Sequence, residues 1–369
     1  MTRREREVAG RVDAEAGGLA ATPMRDEPTE LGSGPRIGRR YGGWGWLWLW
    51  AAVAGAGVLR LAVGSEGPGW PSGEVGWLIV ELRAQRLLVG ATAGVALAAA
   101  GVALQALLRN ELAEPFILGL STGAATGMVG QRLVVAAIGG SGVLWWGDGL
   151  GAALGAGISM AVVYAAGRRR GVVDPLGLLL AGVVLSTING AIIMLAVHLF
   201  PGLLQVELSQ WMMGYLAVGS VGNGVWLAVT LATGGGVAWL VWRSPSMDVA
   251  TLSEREAASL GVAVGRLRGE LFVVATLLAA GAVVLAGPVA FVGLICPHIA
   301  RWRVGPGHRP TLIGSAGLGA ALVWLADAAG AGVAWAGGVG VVPIGVFTAV
   351  VGGVGFLWML RPQLGRGLG

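Results

Sequence analysis

Lysine is absent from this sequence: all 25 basic residues are arginines, and only 12% of the 369 residues are charged. A P-loop nucleotide site needs a lysine that reaches the phosphates, so the chain lacks a standard ATP site. Soluble globular domains carry about 25% charged residues, roughly twice the share found in this chain. The low charge therefore argues against a soluble globular protein.

Cysteine and histidine are also scarce. Cys296 is the single cysteine, which excludes an internal disulfide. The three histidines are His198, His298 and His308; no two lie at metal-ligand spacing, and His298 beside Pro297 is typical of a structural turn. Catalytic carboxylate clusters and basic patches interleaved with aromatic residues are also missing from the sequence. We therefore predict no metal, no cofactor, no enzymatic activity and no nucleic-acid partner.

Apolar residues, by contrast, form long runs: 55% of the chain is hydrophobic, and the mean hydropathy is +0.74. A membrane-spanning helix needs about 20 mainly apolar residues. The pattern predicts an all-α polytopic membrane protein with about ten spans, forming a transmembrane domain over residues 44–362. The spans are predicted at 44–63, 87–108, 116–138, 149–166, 175–200, 225–242, 311–329 and 342–360, with two more within 271–300. Residues 201–222 are too polar to span, and predict a short helix outside the bilayer or re-entrant within it.

Arginines set the predicted orientation. Most of them fall on one side of the ten-span arrangement, which the positive-inside rule assigns to the cytoplasm. Residues 1–43 are polar with mixed charge, and predict a disordered cytoplasmic tail. Residues 363–369 predict a second, short cytoplasmic tail. Both termini are therefore expected in the cytoplasm.

Two arginines run against this rule. Arg83 and Arg86 precede the second predicted span on its external side, and the same segment ends in a polar turn at Arg109–Pro115. Long basic side chains at a helix end often only reach back to the membrane interface. The other interpretation is a basic patch for an acidic partner outside the membrane. The residues alone leave both open.

The longest polar segment after the tail covers residues 244–270. Within it, Ser253 and Glu256 have the spacing of a capping box, and Gly261 is a natural helix stop. A short capped helix here suits docking of a soluble partner, or else a connecting helix lying on the membrane surface.

Three polar residues lie within predicted spans: Arg132, Asn189 and Asp327. Such residues usually face a cavity or a partner, which makes them candidates for a transport pathway. Arg132 near the interface and Asn189 bonded to a neighbouring helix are the alternatives.

A series of motifs then appears in a recognisable order. They are Arg83-x-x-Arg86, Gly101-x-x-x-Gln105, Arg109-Asn110-x-Leu112-Ala113-x-Pro115, Leu180-Ala181-Gly182-Val183, Trp211-Met212-Met213-Gly214, Ala257-x-x-Leu260-Gly261-Val262, the run Gly287–Arg301 and Pro343-Ile344-Gly345. Over residues 44–362 the chain resembles the FecCD-type permeases. These are membrane subunits of type II ABC importers for iron-siderophores, haem and vitamin B12.

The resemblance implies a permease that performs no covalent chemistry and works with a second permease copy or paralogue in a prokaryotic plasma membrane. It implies an external substrate-binding protein that docks on Arg83 and Arg86, and an inner gate at Asn110 and Leu112. It also implies a cytoplasmic ABC ATPase that receives the coupling helix. The implied coupling residues are Glu254, Ala257, Leu260, Gly261 and Val262.

The chain departs from the family pattern at several positions, among them Gln85 between the two arginines, where the family has a proline. Glu111 replaces a proline of the inner turn, and Ala331 stands where relatives usually carry a further docking arginine. An alternative from another functional class is an ion-coupled secondary transporter of a small solute. Asp327 would then be the clear carboxylate candidate, and transport would need no ATPase.

Overall fold

A computed structural model describes residues 43–64, 66–139, 149–169, 172–216, 218, 222–338, 340 and 342–364. The predicted N-terminal tail and residues 365–369 lie almost entirely outside these ranges. The described helices are α1 (Gly43–Ala62), α2 (Gly76–Leu108), α3 (Leu120–Ala137), α4 (Gly149–Ala166), α5 (Pro175–Leu199), α6 (Pro201–Met212), α7 (Asn223–Val249), α8 (Glu254–Ser259), α9 (Val264–Ala286), α10 (Val292–Val304), α11 (His308–Gly337) and α12 (Ile344–Leu364). A 3-10 turn, Pro115–Leu118, precedes α3.

The all-α membrane prediction is confirmed, and the count of about ten spans is approximate. Among the described residues, seven helices are long and apolar enough to cross a membrane: α1, α2, α4, α5, α7, α9 and α11. The other predicted spans correspond to α3, α10 and α12. At 13 residues, α10 is only about 20 Å long, shorter than a hydrocarbon core of about 30 Å. The predicted break near Gly287 separates α9 from α10, and residues 201–212 form a short helix, as expected.

Helix α2 is the centre of the fold. Its 33 residues extend about 50 Å, and its middle, residues 89–107, is almost wholly buried. It packs against α9, α10 and α11. The predicted span begins at about Leu87, and the helix extends beyond it on the N-terminal side, to Gly76. Arg83 and Arg86 therefore lie two to three turns inside α2, and the interpretation of them as side chains at a helix end was wrong.

Glycines allow these helices to pack closely. A Cβ atom added at Gly94 of α2 would lie 2.2 Å from the carbonyl oxygen of Gly319 on α11, and one added at Gly101 would lie 1.9 Å from that of Gly293 on α10. Gly127 and Gly155 bring α3 and α4 together in the same way. Lipid offers helices little hydrophobic drive to associate, so close backbone packing has to supply the contacts.

Two-stranded hairpins close two of the turns. β1 (Val63–Gly64) pairs with β2 (Gly67–Pro68) between α1 and α2, and β3 (Arg168–Arg169) pairs with β4 (Val172–Val173) between α4 and α5. Helices α7 and α9 extend into both ends of the predicted 244–270 loop, which leaves residues 250–263 between the two helices. We call residues 250–263 the coupling segment.

Candidate functional site

A group of charged side chains surrounds the predicted outer end of α2. Asp327 of α11 accepts hydrogen bonds from Arg60 of α1 and from Arg86 of α2, whose Nη2 lies 2.5 Å from Oδ1. Asp327 and Arg60 are 3% and 2% exposed, so this ion pair is fully withdrawn from water. The guanidinium of Arg86 also stacks over the ring of Tyr215 at 5.5 Å.

Arg83 completes this group from one turn earlier in α2. Its Nη2 lies 2.7 Å from Oε1 of Glu66, in the turn of the β1–β2 hairpin, and its Nη1 donates to the carbonyls of Leu61 and Gly69. Arg83 is only 4% exposed. The side chain therefore anchors the hairpin to α2. We call Arg60, Arg83 and Arg86 with Asp327 and Glu66 the outer arginine cluster.

The cluster carries three arginines against two carboxylates, and it lines a cavity of about 230 Å³. Ala331 forms part of the wall, so the small side chain at this position leaves room beside the arginines. Such a cavity can accept one further carboxylate. The role of Arg83 and Arg86 in docking stays a prediction. Arg83 is buried and Arg86 is half-buried, so the two side chains do not form an open basic patch.

Sequence reasoning missed Arg60. It lies within the first predicted span, and the criterion that selected Arg132, Asn189 and Asp327 would have selected it too. Its partner could not be inferred, because 267 residues separate it from Asp327.

The structure gives the predicted pathway residues separate surroundings. Asp327 belongs to the outer arginine cluster. Asn189 of α5 is buried and donates to Ser159 of α4 at 3.2 Å and to Thr122 of α3 at 3.5 Å, which joins three helices. Arg132 lies on α3 roughly 15 Å along the helix from Thr122. A pathway role for the three stays a prediction.

The inner turn, residues 109–115, is held on three sides. Arg109 caps α2 in the left-handed region with φ of 48°, a conformation that costs a non-glycine residue about 1–2 kcal/mol. Its Nη2 donates to the carbonyls of Ala250 and Leu252, at 2.7 and 2.9 Å. The inner turn is therefore bonded directly to the coupling segment.

Glu111 and Glu114 connect the inner turn to α10 and to the residue before it. Glu111 lies 3.6 Å from Arg301 of α10, and Arg301 in turn donates to Gln105. Glu114 is 7% exposed and accepts a hydrogen bond from the backbone N–H of Phe291, the residue before α10. Burial raises the pKa of Glu114 to about 7, against the opposite effect of that hydrogen bond.

The predicted gate residues lie within this turn. The side chain of Asn110 accepts a hydrogen bond from the backbone N–H of Leu112 at 2.9 Å, and Leu112 is 43% exposed. Asn110 therefore shapes the turn, which presents the Leu112 side chain at its surface. Their gating role stays a prediction.

The predicted capping box is confirmed at α8. Ser253 Oγ accepts from the backbone N–H of Glu256, and the Glu256 carboxylate accepts from the Ser253 backbone. The Ser253 hydroxyl also donates to the Glu256 carboxylate at 2.7 Å, and this bond, together with the one from the Ser253 backbone N–H, lowers the pKa of Glu256. Gly261 ends the helix with φ of 81°. A helix of one and a half turns needs such caps to persist outside the membrane.

The five predicted coupling residues divide by exposure. Ala257 is fully buried, Val262 is half-buried, and Leu260 and Gly261 are exposed. Glu254 is exposed and lies 3.0 Å from Arg268 of α9. The coupling segment thus presents an exposed tip on a buried anchor, a geometry that suits docking of a soluble partner.

Comparison with known proteins agrees with this arrangement. Residues 50–362 match the model of the FecCD transport family. The chain is 36% identical over 307 residues to the vitamin B12 import system permease protein BtuC of Vibrio cholerae, covering 82% of this chain and 89% of that one. It is 36% identical over 296 residues to the cobalamin import system permease protein BtuC of Halobacterium salinarum, covering 79% and 75%. A solved structure, described as the inward-facing conformation of a metal-chelate type ABC transporter, superposes with a TM-score of 0.72 at 26% identity, over 87% of this chain and 99% of that one.

Proposed function

The chain belongs to the FecCD transport family and is the permease subunit of an ABC importer, and on that premise we propose that its substrate is a corrinoid of the vitamin B12 type. The observation that carries the proposal is the similarity to vitamin B12 and cobalamin permeases along most of both chains. Iron-siderophore and haem complexes are the competing substrates, since permeases for all three share the family motifs. The comparisons give no support to an ion-coupled transporter.

We further propose that a separate ABC ATPase binds the coupling segment, and that an external binding protein delivers the substrate. ATP binding would move α8, and the hydrogen bonds of Arg109 would carry that movement to the inner turn. The proposed orientation has both termini in the cytoplasm and the outer arginine cluster outside. A second permease copy or paralogue would complete the pathway.

The test of function is transport by purified components. Vesicles containing the permease, its ATPase and its binding protein are supplied with labelled cyanocobalamin, a ferric siderophore or haem. We expect ATP-dependent uptake of cyanocobalamin alone. Preferential uptake of a siderophore or haem would overturn the substrate; uptake without the ATPase, driven by an ion gradient, would overturn the mechanism.

Docking at the outer arginine cluster can be tested at Ala331. Ala331→Glu places a carboxylate beside the arginines within the chain itself, so it competes with a carboxylate of the binding protein. Ala331→Gln has nearly the same size without the charge. We expect Ala331→Glu to weaken binding of the binding protein about tenfold or more, and Ala331→Gln to have a much smaller effect. Equal effects would mean that bulk, not charge, governs docking there.

A further inference from the structure

A groove between α4, α7 and α9 is not explained by transport. Two adjoining cavities, of about 430 and 730 Å³, share Trp239, Arg266 and Glu270 in their walls. Arg168, at the start of the β3–β4 hairpin, and Arg243 of α7 also contribute. We call this continuous space the interfacial groove.

One end of the groove is basic. Arg168, Arg243 and Arg266 face one carboxylate, Glu270, which leaves an excess of two positive charges. Glu270 accepts from Nε and Nη2 of Arg243 and from Nε of Arg266. Among the described residues, Nη1 of Arg243 and the terminal amino groups of Arg266 make no hydrogen bond. These N–H groups can donate to an anion.

The other end of the groove is apolar. Val273 and Val274 form its wall, and Val273 is 53% exposed. From Arg266 to Val274 the groove extends about 12 Å along α9, a helix long and apolar enough to span a membrane. An occupant must therefore be charged at one end and hydrophobic at the other.

Tryptophans place the basic end at the membrane surface. Trp239 and Trp242 lie under the Arg243 guanidinium, at 5.7 and 5.3 Å from ring centre to Cζ, and Trp242 is 69% exposed. Tryptophan and arginine side chains concentrate where headgroups meet hydrocarbon. Basic pockets between spanning helices on the cytoplasmic side suit anionic lipid headgroups.

We propose that the interfacial groove binds an anionic phospholipid, with its phosphate at Arg168, Arg243 and Arg266 and an acyl chain along Val273 and Val274. A soluble ATPase approaching from the cytoplasm would not enter the apolar end, which lies at hydrocarbon depth. The site adjoins Gly261 and Val262, so a bound lipid would contact the coupling segment. The proposal does not depend on which substrate is transported.

Two kinds of variant test the site. Arg168→Gln with Arg266→Gln removes charge from exposed side chains. Gly265→Leu fills the groove while keeping every charge, because a Cβ at Gly265 meets nothing within 4 Å. Arg309→Gln is the matched control, since Arg309 is an exposed arginine on the same predicted side but outside the groove.

The measurement is native mass spectrometry of the full-length permease titrated with phosphatidylglycerol or phosphatidylcholine in mixed micelles. We expect phosphatidylglycerol binding to weaken about 25-fold in the double arginine variant, taking about fivefold for each charge. Gly265→Leu should lower it too, and Arg309→Gln should leave it unchanged. An equal loss in Arg309→Gln would overturn the site, as would an unchanged affinity in the double arginine variant.

Two competitors separate other occupants from lipid. Inorganic phosphate at matched concentration should not displace phosphatidylglycerol, because it lacks the acyl chain; displacement would mean a simple anion site. Added ATPase should leave the lipid bound. Loss of lipid on ATPase assembly would mean that the groove is part of the protein interface, and would overturn the proposal.

Discussion

At its N-terminal end α2 is held by ion pairs to a buried aspartate, whereas at its C-terminal end Arg109 joins it to the coupling segment by hydrogen bonds. Asp327, the partner of Arg86, is 3% exposed, but Arg109 reaches the coupling segment at the exposed surface. Buried charges are costly to separate, while exposed hydrogen bonds exchange readily with water. We therefore expect the N-terminal end of α2 to stay together, and the bonds of Arg109 at its C-terminal end to break and re-form more readily.

Breaking the buried pair should have the largest effect. Asp327→Asn leaves Arg60 and Arg86 without their shared negative charge, and we expect it to cost about 3–5 kcal/mol of stability. Thermal unfolding in nanodiscs, followed by tryptophan fluorescence, measures the change. Glu66→Gln is the control, because its side chain is 42% exposed and Arg83 keeps two carbonyl partners; its cost should be about 1 kcal/mol or less. Similar losses in both variants would remove the distinction between buried and exposed pairs.

Glu114 is the buried carboxyl group of the inner turn, and its contribution to the free energy of unfolding should depend on pH. Its pKa is about 7 in the folded protein, against an ordinary 4.5. As pH rises from about 4.5 to 7 the unfolded chain loses this proton before the folded one does, so folding becomes less favourable. The full penalty, about 3 kcal/mol, is present above pH 7 and absent below about pH 4.5.

Glu114→Gln keeps the acceptor for the Phe291 N–H and removes the titration. The variant should gain stability over the wild type as pH rises from 5 to 8, measured as the difference between the two unfolding curves. Glu111→Gln, in the same turn but with a side chain 62% exposed, is the control. A difference that does not change with pH would mean that Glu114 is not buried in solution.

Arg109→Ala should separate ATP hydrolysis from transport at a smaller cost in stability, about 1–2 kcal/mol. It removes both hydrogen bonds between the inner turn and the coupling segment without touching α8. We expect assembly with the ATPase to persist, while substrate transported per ATP hydrolysed falls severalfold. In Arg109→Lys, which keeps a charged donor, the amount of substrate transported per ATP should be partly restored. If the variant transports as much substrate per ATP as the wild type, the hydrogen bonds of Arg109 do not couple ATP hydrolysis to transport.

The smallest effect is expected at the cap of α8. Ser253→Ala removes the side-chain acceptor for the Glu256 N–H, at a cost of about 1 kcal/mol. Amide hydrogen exchange over residues 254–259 should accelerate about fivefold, with exchange in α2 unchanged. Equal acceleration in both helices would mean that the substitution perturbs the whole protein.

Local features were predictable because they depend on neighbours in the chain. The capping box of Ser253 and Glu256, the stop at Gly261 and the break at Gly287 each involve residues a few positions apart. The extension of α2 back to Gly76 was not predicted, since the polar residues Glu81, Arg83 and Arg86 do not suit a membrane span when their partners are unknown. Asp327, Glu66 and two backbone carbonyls supply the partners that Arg83 and Arg86 need within this helix.

By itself, the sequence determined the membrane class, the helical architecture and the family, because apolar length, arginine distribution and motif order are local or additive properties. Only the tertiary structure decided that Arg60 shares Asp327 with Arg86, that Arg109 reaches the coupling segment, and that Glu114 is buried against Phe291. Each of these contacts joins segments more than 100 residues apart. Contacts between residues so far apart in the chain follow from how the helices pack, and a local sequence pattern does not contain that information.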